Sequence, residues 1–151
     1  MLQLASSADF DAVNEMARQV HALHANWRPD IYEMVPQLFP RERFDKSIQE
    51  RQLYAAKQGN HAVGYVTVKV RGYDWPGVVY RRVMVVDEFC VHESHRRRGI
   101  GQSIMEDIHS LARDLGCTDY QLGVYPQNEA ALAFYEKCGF RIRSIDMQKK
   151  V

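Results

Sequence analysis

"HESHRRRGIGQS", His92 to Ser103, sets three consecutive arginines directly in front of a Gly-x-Gly step. Upstream, "VVYRRVMVVDEFCV" (Val78 to Val91) is rich in β-branched residues and predicts a long strand. Downstream, Ile104, Ile108, Leu111, Ala112 and Leu115 recur at helical spacing until Gly116 stops the pattern. The stretch therefore joins a strand to a helix N-terminus, where backbone N–H groups and the helix dipole favour an anion. Gly99 and Gly101 allow a tight turn and a close approach to the backbone. Arg96, Arg97 and Arg98 can add charge-assisted hydrogen bonds. This is the chemistry of a pyrophosphate site. It is not the P-loop, because Gly-x-x-x-x-Gly-Lys-Ser/Thr is absent. Nor is it the dinucleotide fingerprint: Ile104 holds the third glycine position, and no βαβ unit starts the chain.

The flanking pattern is that of a mixed α/β domain. Ser6 and Ser7 offer an N-cap for a helix carrying Phe10, Val13, Ala17, Val20, Leu23 and Trp27, ended by Arg28-Pro29. "RERFDKSIQE" (Arg41 to Glu50) predicts a second, shorter helix. "RQLYAAK" and "HAVGYVTVKV" predict two strands about the turn Gln58-Gly59-Asn60, and "GYDWPG" (Gly72 to Gly77) a loop. After the opening motif and its helix, "DYQLGVY" (Asp119 to Tyr125) predicts a strand and Asn128 to Gly139 a helix. "FRIRSIDMQKK" alternates and predicts a closing strand. No repeat, linker or low-complexity tract interrupts residues 1–151, so one domain is expected.

Composition narrows the partners. The chain of 151 residues has a net charge of +1, with 46% hydrophobic and 26% charged residues, ordinary values for a globular domain. A nucleic-acid binder usually carries a clear basic excess, so the arginine run is a local feature. Cys90, Cys117 and Cys138 are odd in number and form no Cys-x-x-Cys pair, which reads as reduced thiols in a cytoplasmic protein without a zinc site. No apolar run approaches the roughly eighteen residues that span a bilayer. The start, "MLQLASSADFD", lacks the features of a signal peptide.

With these motifs in order, the sequence resembles the GNAT superfamily of acyl-CoA-dependent N-acyltransferases. The family signature Arg/Gln-x-x-Gly-x-Gly/Ala between a strand and a helix is met by Arg96-Arg97-Arg98-Gly99-Ile100-Gly101. The downstream pattern Asn-x-x-Ala-x-x-Phe-Tyr-x-x-x-Gly-Phe is met at every position by "NEAALAFYEKCGF", Asn128 to Phe140. The likeness covers about Val83 to Phe140, and Glu93 replaces a proline often found there. It implies a central mixed, mostly antiparallel sheet of about six to seven strands flanked by about four helices. It also implies acetyl-CoA as co-substrate, with no metal. The backbone N–H groups from Arg97 through Arg98, Gly99, Ile100, Gly101 and Gln102 to Ser103 would bind its pyrophosphate, assisted by Arg96. The backbone of Phe89, Cys90 and Val91 would pair with the pantetheine arm like another strand. Asn128 would hydrogen-bond the same arm, Ala131 and Phe134 belong to the matched binding helix, and Lys137 would lie near the nucleotide phosphates. Tyr135 matches the tyrosine that commonly faces the thioester sulfur. The resemblance also allows a homodimer.

Acyl transfer to an amine needs a base and a proton donor for the leaving thiol. A lysine-like amine is free base in only about one molecule in two or three thousand at pH 7, an α-amine in roughly one in ten. Glu88 is the favoured base, directly or through water, with Asp87 close behind; on an alternating strand the two would face opposite sides. Cys90 as an acyl-cysteine nucleophile lacks an identifiable basic partner. His92-Glu93-Ser94-His95 is one residue short of a zinc-protease helix, and His21 with His24 reads as a surface pair.

The acceptor side falls to the N-terminal helices and the "GYDWPG" loop. Trp27, Tyr32, Phe39, Tyr73 and Trp75 would form an aromatic wall, and Asp30, Glu33 and Asp74 would attract a cationic amine. A small amine or amino-acid derivative is the expected acceptor, with a peptide N-terminus or a protein lysine as alternatives. A regulatory module that binds acyl-CoA without turnover is the rival class. Neither nucleic acid nor membrane is expected as a partner.

Overall fold

The computed structural model describes residues 1–151. Five strands and four α-helices follow one another along the chain: β1 (Leu2–Leu4), α1 (Phe10–Trp27), α2 (Arg41–Gln49), β2 (Leu53–Gln58), β3 (His61–Tyr73), β4 (Arg81–Val91), α3 (Ile100–Asp114), β5 (Asp119–Leu122) and α4 (Glu129–Lys137). They form one sheet in the order β1-β2-β3-β4-β5. The pairings from β1 to β4 are antiparallel, and β5 joins β4 in parallel after the crossover through α3. The mixed, mostly antiparallel class is as expected, with fewer strands than the six to seven implied.

The difference lies at the C-terminus. The alternating stretch predicted as a last strand has no strand assignment, and residues 141–151 make no backbone–backbone hydrogen bond. Ile142, Ile145 and Met147 are 70%, 78% and 93% exposed. Alternation specifies a strand only where an edge pairs with it and one face is buried, and this segment has neither. Side chains hold its far end instead: Arg28 donates to Gln148 Oε1 at 2.7 Å, and Lys150 lies 3.8 Å from Asp30. At the other terminus, β1 forms from a stretch too short to carry a period of its own, through pairing with β2.

Both faces of the sheet are covered, so β2 and the centre of β3 read as nearly unbroken apolar runs. On one face Tyr54, Ala56, Val66, Val68, Met84 and Val86 meet Ile100, Ile104, Ile108 and Ala112 of α3. On the other, Leu53, Ala55, Tyr65 and Cys90 meet Val13, Met16 and Ala17 of α1 and Phe44 of α2. The entry to α1 is tied to this layer by Asp9, whose carboxylate accepts from the Ser6 N–H and O–H at 2.8 and 2.9 Å and pairs with Lys57 at 3.0 Å.

Candidate active site

The site begins where the parallel pair ends. β4 and β5 are paired only from Val83↔Asp119 to Val86↔Leu122. β4 runs on to Val91, still paired with β3 through Thr67↔Glu88, Val66↔Phe89, Tyr65↔Cys90 and Gly64↔Val91. The stretch Asp87–Val91, containing Phe89, Cys90 and Val91, therefore has an unpaired edge on the β5 side. Such an edge takes an extended chain.

The arginine-glycine loop leaves β4 at this opening. Arg97 and Gly99 have φ of +59° and +78°, the left-handed region in which Gly99 costs least. Ser103 N–H is the first amide of the helix entry to bond back, to Gly99 O at 3.1 Å. The amides from Arg97 to Gln102 have no backbone partner, which makes the loop a row of donors at a helix N-terminus. Ile100 is buried in the α3 layer and anchors the row, while Gly99 and Gln102 are exposed. Gly101 has a second reason to be glycine: a Cβ there would stand 3.2 Å from Phe134 Cζ. The three arginines separate in role. All three are exposed, but Arg96 turns back to donate from Nε to Val91 O at 2.9 Å.

α4 closes the same opening. Asn128 Oδ1 accepts from Ala131 N–H at 3.2 Å, the N-cap of the helix, and leaves its own NH₂ group as a donor. Phe134 stacks on Phe89, centroids 5.9 Å apart, and Tyr135 lies 6.2 Å from Phe89 and 5.7 Å from Phe140. Burial, with smaller contributions from Cys138 and Cys90, pushes the Tyr135 phenol up to about 12. It is thus an O–H donor throughout the physiological range. Lys137 is exposed at the end of the helix.

The two carboxylates of β4 do not face opposite sides as strict alternation predicts. Val68 pairs with Val86 and Thr67 with Glu88, so Asp87 is the extra residue of a β-bulge. Asp87 meets Lys69 Nζ at 3.1 Å, and Glu88 Oε2 accepts the Tyr65 O–H at 2.8 Å. Tyr65 and Lys69 share one face of β3, so both carboxylates lie on the α1–α2 side. The bulge thus places Glu88 at the start of the open edge with its tip across the sheet from Tyr135. Arg43 of α2 approaches the other Glu88 oxygen at 3.8 Å. Cys90 points into the core, its thiol against Met16 O, and burial pushes it up to about 11; this is no activated nucleophile.

The aromatic residues named from the sequence fall into three places. Tyr32 joins His24 and Trp27, and its hydroxyl meets the Tyr125 hydroxyl at 2.8 Å, bridging the α1–α2 connection to the segment after β5. Burial and the neighbouring His21 lower the His24 pKa, so its ring is neutral there. Phe39 is core, edge-on to Tyr65. Tyr73 and Trp75 pair with each other at the β3–β4 connection, about 20 Å along β4 from Glu88. The "GYDWPG" loop is therefore at the far end of the sheet from the open edge of β4, not beside it as expected. Asp30 is held by Arg28, which keeps its carboxyl down at about 2. Tyr65, Arg43 and Tyr125 were not singled out in the sequence: two sit in ordinary strand and helix patterns, and Tyr125 reads as the end of a strand.

The sequence pattern of the Acetyltransferase (GNAT) family matches residues 20–140. The chain is 26% identical over 119 residues to the uncharacterized N-acetyltransferase YvbK of Bacillus subtilis, covering 78% of this chain and 71% of that protein. A tetramutant of the BH1408 protein from Bacillus halodurans superimposes with a TM-score of 0.92 at 24% identity, covering 100% and 99% of the two chains. The aminoglycoside N-acetyltransferase AAC(6')-Iy in complex with CoA has the same fold, with a TM-score of 0.70 at 14% identity and full coverage of both chains. Together with the opening of β4 from β5 beside a loop of free amides, the match over residues 20–140 makes the chain a member of the GNAT family of acetyltransferases.

Proposed function

We propose that this acetyltransferase moves the acetyl group of acetyl-CoA directly to a primary amine, with both substrates bound at once, and that the acceptor is a small amine or amino-acid derivative. The observation that carries this reading is the unpaired β4 edge from Asp87 to Val91, running into the free amides of Arg97 to Gln102. The edge suits an amide-bearing arm and the amides suit a pyrophosphate, in the order in which acetyl-CoA presents them. Arg96, Arg97, Arg98 and Lys137 add positive charge at the phosphate end. The Asn128 amide, free of the cap bond made by its oxygen, would donate to the arm, and Ala131, Phe134 and Phe89 would line its α4 side. The small-molecule acceptor is supported by likeness to a fold that also serves an aminoglycoside N-acetyltransferase solved with CoA.

In the reaction, Glu88 takes the proton that the attacking amine loses, directly or through one water. The C–N bond forms as the C–S bond breaks, and the Tyr135 hydroxyl gives the leaving sulfur a proton. Asp87 is the weaker candidate for base because Lys69 holds it. The test is release of free CoA from acetyl-CoA with a panel of amines, amino acids and peptides, beside a thermal melt with acetyl-CoA alone. Acetyl-CoA should raise the melting temperature, and at least one class of amine should drive CoA release. A melting shift without turnover across the panel would favour a regulatory acyl-CoA-binding module.

A further inference from the structure

Arg43 stands apart from the other cations of its face. Arg41 is paired with Asp45 at 3.2 Å and Lys46 with Glu50 at 3.9 Å, both along α2, and Lys69 is taken by Asp87. Arg43 pairs with Glu88 at 3.8 Å, beyond hydrogen-bond distance like the Lys46–Glu50 pair, and what distinguishes it is that its partner is the carboxylate at the open edge. Its guanidinium is nonetheless fixed: Nη1 donates to Leu38 O at 3.0 Å, and the group lies 4.5 Å over the ring of the buried Phe39. The side chain is 57% exposed, so several of its five donors point to solvent beside Glu88. Tyr65 occupies Glu88 Oε2, which leaves Oε1, the oxygen facing Arg43, for an incoming amine.

We infer that Arg43 reads an anionic group on the acceptor, and that the acceptor is an α-amino acid or a related amine with its anion one carbon from the nitrogen. This rests on the acyl-transfer reading above. A simple anion placed at Arg43 would be repelled by Glu88, and a simple amine at Glu88 would be repelled by Arg43. A zwitterion satisfies both. In an α-amino acid, nitrogen and carboxyl carbon are separated by two bonds of about 1.5 Å each, which fits a cation and a carboxylate 3.8 Å apart. The ε-amine of lysine is too far from its own carboxylate to engage both groups. Arg43 also disfavours the ammonium form beside it, easing loss of the amine proton to the free Oε1 of Glu88.

The experiment measures CoA release with the common amino acids, their α-amides and the corresponding decarboxylated amines, for the wild type and Arg43→Gln. Acids should exceed their amides in kcat/KM by about tenfold or more, as expected for a lost charge-assisted hydrogen bond. In Arg43→Gln the ratio of acid to amide should fall towards one, and lysine should emerge acetylated at its α-nitrogen in the wild type. Equal use of acids and amides by the wild type would overturn the assignment while leaving acyl transfer in place. So would an unchanged ratio in Arg43→Gln. No turnover of any amine, with acetyl-CoA still raising the melting temperature, would sink the acyl-transfer reading and this one with it.

Discussion

At the residue scale, Tyr135 and Glu88 sit on opposite sides of one strand, and each is conditioned by its surroundings. Burial holds the Tyr135 proton in place, with the phenol pushed up to about 12. A group so placed can donate to a departing thiolate but contributes little to binding. Tyr135→Phe should therefore lower kcat by about tenfold or more while leaving the affinity for acetyl-CoA within a factor of two or three. Equal losses in both, measured by steady-state kinetics and titration, would make Tyr135 a packing residue beside Phe89. Glu88→Gln keeps an acceptor for the Tyr65 hydroxyl yet removes the base. Its kcat/KM should fall by about a hundredfold, with the fold intact by thermal melting. Retention of more than half the activity would move the base elsewhere.

At the element scale, Asp9 fastens the start of α1 to β2, and its pH dependence has a definite sign. Burial raises its pKa, but the Ser6 N–H, the Lys57 ammonium and the Ser6 hydroxyl outweigh it, and the pKa ends below its ordinary value. A carboxyl with a depressed folded pKa stabilises the fold above the unfolded pKa of about 3.9. That stability is lost as the pH falls through the folded value. Asp9→Asn leaves Lys57 without its partner and should cost about 3 kcal/mol near neutrality. The gap between wild type and variant in urea melts should narrow below about pH 4. A gap independent of pH would exclude the ion pair as its source.

The same scale shows what could be read from residues and what could not. The helices from Phe10, Arg41, Ile100 and Glu129 are legible because caps, glycine stops and apolar spacing are local signals. The loop from Arg96 to Ser103 is legible for the same reason. The bulge at Asp87 is not, because it depends on register with β3, and it brings to one side two carboxylates that alternation would set on opposite sides. The final strand is not, because alternation is necessary for pairing but supplies no partner. The sequence explains Gly101 as room for an anion; its contact with Phe134 follows only once α4 folds back onto the loop.

At the scale of the whole molecule, the sheet divides two packed layers, and β4 is the strand that both layers share at the point where its outer edge is open. α3 and α4 cover one side and α1 with α2 the other. A ligand lying along Asp87–Val91 would thus touch both layers without entering either core. Binding to the folded state alone stabilises it by RT ln(1 + [L]/Kd), about 2.7 kcal/mol at a hundredfold excess over Kd. For a chain of this length that is a rise of roughly 5 to 10 °C in Tm. The distribution of that stabilisation tests the site more sharply than its size does. Amide hydrogen exchange with acetyl-CoA should slow at the amides of Asp87–Val91 that face the open edge and along Arg97–Gln102, where amides acquire partners. The β1–β2 pair is already bonded and lies at the far edge of the sheet, so its exchange should change only as much as global stability does. Protection spread evenly over all five strands would mean that the coenzyme does not lie along β4.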